Sequence, residues 1–148
     1  MTRIAEAPCT IFPAYKRAAV SDLIPYARNA RTHSDSEVAQ IVASIREFGF
    51  NNPILVDGDR GVIAGHGRLM AARQLGMTEV PTLELAHLTP TQRRAYVLAD
   101  NRLALNAGWD GDMLRLELAD LQLDGFDLGL TGFGEDEIAG FLVDKNGG

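Results

Sequence analysis

The sequence predicts an α+β fold: a small mixed β-sheet packed by helices, followed by a helical C-terminal part. Three observations carry this. Short apolar runs bounded by turn residues stand at 54–57, 61–64 and 80–85, as strands do. Stretches at 38–48, 69–75 and 90–105 place apolar residues at helical spacing instead. Beyond Gly108 only helical patterns remain.

Residues 1 to 15 lack periodicity and are expected to form a loose arm. Ala18-Ala19-Val20 suggests a short strand that leaves through the turn Asp22-Leu23-Ile24-Pro25. Ser34-Asp35-Ser36-Glu37 fits a capping box, since the Ser34 hydroxyl and Glu37 carboxylate can satisfy orphan N–H groups reciprocally. Val38, Ile41, Val42, Ile45 and Phe48 then share a helix face, and Gly49 supplies the stop. Pro53–Asp57 and Gly61–Ala64, separated by Gly58-Asp59-Arg60, read as a β-hairpin. Leu69, Ala72 and Leu75 mark a short helix closed by Gly76. Val80–Leu85 reads as a strand that Pro81 assigns to a sheet edge or a strand start. Thr89-Pro90 opens a long helix, with proline at its tolerated first position, running to about Leu105. A further helix is expected over about Gly111 to Leu123, and a last short one over Glu135 to Leu142. The polar end, Asp144–Gly148, looks like a linker.

The chain has 148 residues, 46% apolar and 23% charged, with a mean hydropathy of −0.04. These values describe one globular domain with an ordinary core and exclude wholesale disorder. No apolar stretch approaches the about 20 residues of a membrane helix. The N-terminus has no apolar signal core, so a cytoplasmic location is expected. The lone Cys9 forms no internal disulfide and no multi-cysteine metal site. The net charge of −6 conceals an asymmetry. Through Arg102 there are 12 Lys and Arg against 10 Asp and Glu, and from Leu103 onward 2 against 10, a balance of −8. Such an acidic segment repels a phosphate backbone, which argues against a free-standing, high-affinity DNA binder.

The strongest chemical signal is a strand, then Gly65-His66-Gly67-Arg68, then a helix. Glycines at such a turn let a ligand approach the backbone, and the helix start offers unpaired N–H groups with partial positive charge. Arg68 adds a planar fork of donors matched to phosphate oxygens. The spacing is neither a Walker loop nor a dinucleotide fingerprint. A tight turn with Arg68 paired to a surface acid is the bland alternative. In Ala99-Asp100-Asn101-Arg102, Asp100 and Asn101 offer oxygen ligands for a hard cation such as Mg²⁺, and Arg102 another phosphate contact. Successive helix residues point about 100° apart, so all three serve one site only if the helix bends or the ligand wraps its end. An exposed polar face is the alternative there. Asn29, Arg31 and His33 form a third polar cluster; Arg31 or His33 could line the same pocket, although His33 reads more simply as a residue leading into the helix. Arg73, Arg93 and Arg94 offer a weak basic surface. His33, His66 and His87 have no metal-ligand spacing, which disfavours a zinc hydrolase.

The order of these pieces resembles the ParB N-terminal domain, a family also described as ParB/sulfiredoxin-like. The likeness covers about Val20 to Leu105. It rests on five blocks in order: Asn29–His33; Ser44–Phe50 leading to Pro53–Asp57; Ile63–Leu69; Gly76–Pro81; and Leu98–Arg102. The resemblance implies a ParB/sulfiredoxin-like fold. Partition proteins of that family bind CTP with Mg²⁺ through a Gly-Glu-Arg-Arg motif and a Glu-Asn-x-Gln-Arg motif. Gly65 and Arg68 match the ends of the first motif, and Asp100 and Asn101 the opening pair of the second. By resemblance Asp100 takes the place of a hydrolytic acid and Asn101, with Asp100, that of the cation ligand. His66-Gly67 replaces Glu-Arg, and Leu103-Ala104 stands where Gln-Arg would be. Two charge-assisted contacts of about 1.5–3 kcal/mol each are thereby missing, which puts tight CTP binding in question. Sulfiredoxin has a cysteine where this chain has His66, so peroxiredoxin repair is excluded.

The Gly-His-Gly-Arg and Ala-Asp-Asn-Arg variants are similar to the ParB-like domain fused ahead of phage and prophage DNA methyltransferases. Leu128–Phe133 and the acidic helix after it are similar to the stretch that follows that domain. Methyltransferase signatures are absent from the sequence. The expected organisation is an arm at 1–15, a ParB-like domain at 16–107 and an acidic helical extension or linker at 108–148. The leading function is a nucleotide- or phosphate-binding module, using Gly65, His66, Gly67, Arg68, Arg102 and Arg31, that directs or regulates a DNA methyltransferase. The ligand expected is CTP or another nucleotide with Mg²⁺. DNA would be contacted indirectly or weakly, no membrane is involved, and a homodimer is allowed. A CTPase switch or nuclease using Asp100, and a non-catalytic dimerisation domain, are the competing readings.

Overall fold

The computed structural model describes residues 11–27 and 32–142. Cys9, Asn29, Arg31 and the polar end at 144–148 lie outside the described residues. The strands are β1 (Ala14–Ala19), β2 (Ile54–Val56), β3 (Val62–Ala64) and β4 (Glu79–Glu84). The helices are α1 (Asp35–Phe48), α2 (His66–Gln74), α3 (Pro90–Asn106), α4 (Gly111–Leu123) and α5 (Glu135–Leu142), with 3₁₀ turns at Val20–Asp22 and Leu128–Thr131. The sheet order is β1-β4-β2-β3. β4 runs antiparallel to β1 and parallel to β2, and β2 and β3 form the expected hairpin, so the sheet is mixed.

The sheet separates two apolar clusters. Val62 and Ile63 are consecutive in β3, and successive strand residues point to opposite faces. Val62 accordingly joins Ile54, Val56, Val80, Leu69 and Ala72, which seats α2. Ile63 joins Leu85 and Val97, which seats α3. A third cluster of Leu114, Leu118 and Leu128, backed by Phe133 and Ile138, ties α4 to α5. This C-terminal layer meets α1 through Gln40 Nε2, which donates to Gly132 O at 3.3 Å, and through Phe48 stacked on Phe126 at 6.1 Å. Among the described residues no helix is long and apolar enough to cross a membrane.

The helix boundaries agree closely with the periodicity. The Ser34 hydroxyl accepts from Glu37 N–H at 3.1 Å, while the Glu37 carboxylate reaches His33 Nδ1, also at 3.1 Å. Two strand expectations need correction. β1 begins at Ala14, inside the stretch read as a loose arm. Its first four residues are exposed, so burial imposes no alternating pattern, and pairing with β4 is what makes them a strand. β4 is an interior strand despite Pro81. Val20 N–H bonds Thr78 O at 2.9 Å, which sets the phase of the β1–β4 ladder: Val80, Thr82 and Glu84 exchange bonds with β1, and Pro81 faces β2's side. The β2 ladder begins only at Thr82, so the proline removes no ladder bond.

Candidate functional site

Three elements enclose a cavity of about 260 Å³. The first is the β3–α2 junction. Gly65 adopts φ 101° to turn the strand into the helix, and Leu69 N–H closes the first turn on Gly65 O at 2.9 Å. The amides of His66, Gly67 and Arg68 occupy the helix start, where no earlier carbonyl can accept them. The second element is the start of α1, which contributes His33, Glu37 and Ile41, and the third is α3, which contributes Asp100, Asn101 and Ala104. Val97, Asn101 and Ala104 recur at helical spacing, so the turn that buries Val97 in the core aims the next two into the cavity.

Arg68 curls back over Gly65: a Cβ there would lie 3.0 Å from Arg68 Nη2. Nη2 donates to the carbonyl of Pro53 at 3.0 Å, which anchors the guanidinium without a carboxylate. Arg68 Nε is buried with no hydrogen-bond partner. Burial lowers the Arg68 pKa and the charge of Asp100 raises it, so the cation and this acid sense each other across the cavity. Gly67 is packed as tightly as Gly65, since a Cβ would meet Ile41 Cδ1 at 2.9 Å and the His33 ring at 3.0 Å. His66 Nε2 accepts from Tyr26 N–H at 3.1 Å. Burial, and secondarily His33, lowers the pKa of His66. Burial, then the Asp100 charge and hydrogen bond, raise that of Tyr96, whose hydroxyl lies 3.5 Å from Asp100 Oδ1.

Gly65, His66, Gly67, Arg68, Asp100 and Asn101 all line one cavity. Arg102 does not: it is exposed, about one residue's rotation round α3 from Asn101, and the helix continues past it to Asn106. His33 is more than a residue leading into α1, because its ring forms a wall of the cavity. Sequence reasoning gave Glu37 a capping role only and did not single out Tyr96. The i,i+4 spacings His33–Glu37 and Tyr96–Asp100 are the signal that was available. The basic surface loses Arg93, which pairs with Asp57 and joins α3 to the β2–β3 turn.

The donor set suits a cation carried by a phosphate ligand rather than one held by protein alone. Asn101 Nδ2 donates to Val97 O at 2.8 Å, so any cation contact from Asn101 would use Oδ1, and Asp100 lines the same cavity. No group of three or more His, Cys, Asp or Glu side chains among the described residues could enclose a metal. Mg²⁺ commonly takes one or two protein oxygens and completes its shell with phosphate and water.

The ParB N-terminal domain family matches residues 14–101, and the ParB-methyltransferase HTH domain family matches 112–147. The ParB-like nuclease domain-containing protein YnaK of Escherichia coli (strain K12) is 52% identical over 75 residues, covering 51% of this chain and 86% of the relative. The nucleoid occlusion protein of Geobacillus thermodenitrificans (strain NG80-2) is 32% identical over 87 residues, 55% of this chain but 31% of the longer relative. Among solved structures, C-terminally truncated ParB of Caulobacter crescentus complexed with CTP-gamma-S superposes with a TM-score of 0.71 at 20% identity, covering 87% of this chain and 77% of that one.

Proposed function

This chain belongs to the ParB N-terminal domain family, and from that premise we propose that its cavity is a nucleotide-phosphate site regulating a DNA-modifying partner. The observation that carries the reading is Arg68. Its guanidinium is fixed over the start of α2, anchored on a carbonyl, and keeps a buried Nε without a partner. A buried donor left unpaired costs about 1–3 kcal/mol, a cost that a phosphoryl oxygen at this position would remove. The amides at the α2 start favour the same charge. Asp100 and Asn101 would hold the accompanying Mg²⁺, which would neutralise phosphate charge beside two carboxylates, Asp100 and Glu37. CTP is the nucleotide favoured, because the Caulobacter ParB of similar fold was crystallised with CTP-gamma-S. Arg31 is the further phosphate contact proposed from the sequence.

The partner is proposed to be a DNA methyltransferase, on the strength of the match at 112–147. DNA contact through that segment would be weak or indirect, since the charge balance of −8 from Leu103 onward opposes a phosphate backbone. Calorimetric titration with each of the four nucleoside triphosphates and Mg²⁺ tests the site. CTP should give saturable heat, and Arg68→Ala should weaken binding about 10- to 150-fold, the loss of one charge-assisted contact. Silence with all four nucleotides, or unaltered binding by Arg68→Ala, would end the proposal.

A second reading is supported by Asp100, which lines the cavity and acts electrostatically on Arg68. Asp100 would orient water for phosphate hydrolysis. Phosphate release by the chain should then disappear in Asp100→Ala, and release that survives this change would assign the activity elsewhere.

A further inference from the structure

We propose that His66 is a proton-sensitive latch: its neutral ring holds the strap Ile24–Ala27 beside the cavity, and protonation releases it. The strap leaves the core at Leu23. It is pinned first at Ile24, whose N–H donates to Arg60 O at 3.0 Å and whose carbonyl accepts from Val62 N–H at 2.8 Å. The next polar anchor is the bond from Tyr26 N–H to His66 Nε2. The His66 ring lies between the cavity of the β3–α2 junction and a cleft of about 410 Å³ lined by Pro25, Tyr26, Thr32, Leu69 and Arg73. One side chain thus forms a wall shared by two openings and tethers the segment that borders one of them.

The bond fixes the chemistry of the ring. An imidazole nitrogen that accepts must carry no proton, so neutral His66 bears its hydrogen on Nδ1. A second proton can go only to Nε2, where it would face the N–H of Tyr26. Two donors cannot share one hydrogen bond, so protonation and the anchored strap exclude each other. Around His66, His33 from the approach to α1 and Arg68 and Arg73 from α2 oppose a further positive charge, while Glu37 of α1 and Asp100 of α3 favour one. Burial adds to the opposition, and the pKa is lowered. A lowered pKa means that the anchored form is favoured above the ordinary imidazole value of about 6.5 and lost as pH falls through the lower one.

The latch does not require any particular ligand in the cavity, so it is tested on the ligand-free full chain. NMR would follow the His66 ring signals and the hydrogen-exchange protection of the Tyr26 amide from about pH 8 to pH 5. Protection should be present at neutral pH and fall by at least about tenfold with the same midpoint as the His66 titration. That midpoint should lie below the value for a histidine in an unstructured peptide. In His66→Gln, whose amide oxygen can still accept but does not titrate, protection should show no acid step. Protection that persists through the His66 titration, or an equal step in His66→Gln, would overturn the proposal. Should the glutamine variant not fold, the coincidence or separation of the two midpoints in the unaltered chain decides the matter.

Discussion

Gly67 has no room for a side chain, because His33 and Ile41 already occupy the space a Cβ would need. Gly67→Ala must therefore separate α2 from α1, and overpacking of this kind costs about 1–3 kcal/mol. The urea midpoint should fall accordingly, and the His33 ring signals should move with it. Arg68 raises a different question, that of shape rather than space. Lysine would keep the charge but cannot bond Pro53 O and a phosphoryl oxygen with a fixed planar fork. Arg68→Lys should leave stability near that of the parent and still lose about tenfold or more in nucleotide affinity, read by calorimetry. The placement of Gly65-His66-Gly67-Arg68 at a turn between β3 and α2 was legible because strand, turn and helix follow one another within a few residues. The wall role of His33 stood in the sequence only as the less simple of two readings, since it depends on a contact with Gly67 that no local pattern encodes.

Helix ends carry the next level of organisation. Thr89 and Gln92 form a full capping box at the start of α3, with bonds of 2.9 and 3.1 Å. Asp110 accepts from the amides of Asp112 and Met113, both at 3.1 Å, at the start of α4. Loss of such a cap costs about 1 kcal/mol. Asp110→Ala should lower the thermal midpoint by a few degrees, about 2–8 °C for a domain of this size, a shift that calorimetry would resolve. Thr89→Ala should do the same and in addition loosen α3 beside Asp100 and Asn101, so nucleotide affinity should fall with stability only in this second variant. All five helices were readable from their helical patterning, and α1, α3 and α4 also begin on a side-chain cap. The strands were less so. β1 shows no alternation because its first residues are exposed, and Pro81 suggested an edge or a strand start, where the structure has an interior strand whose β2 ladder begins just after the proline. Where pairing with a distant strand decides the structure, a local pattern has nothing to record.

Across the whole molecule the apolar residues divide into clusters of unequal consequence for the cavity. Those on either side of the sheet seat α2 and α3, and with them Arg68, Asp100 and Asn101. The cluster around Leu118 joins α4 to α5 and meets the rest mainly along α1, through Gln40 and the Phe48–Phe126 pair. This layer coincides with the acidic stretch and with the match at 112–147. Under the proposed function a partner acting through it would reach the cavity by way of α1, which also carries Glu37 and Ile41. Leu118 is buried to 1% exposure, and truncation of such a leucine costs about 2–5 kcal/mol. Leu118→Ala should loosen α4 and α5 first, as units with few contacts to the remainder open locally at lower free energy than the core. Hydrogen exchange should then accelerate over 111–142 while the amides of β2, β3 and α2 keep their protection and Arg68-dependent nucleotide binding persists. Equal acceleration throughout the chain would show instead that the C-terminal layer and the cavity unfold as a single cooperative unit.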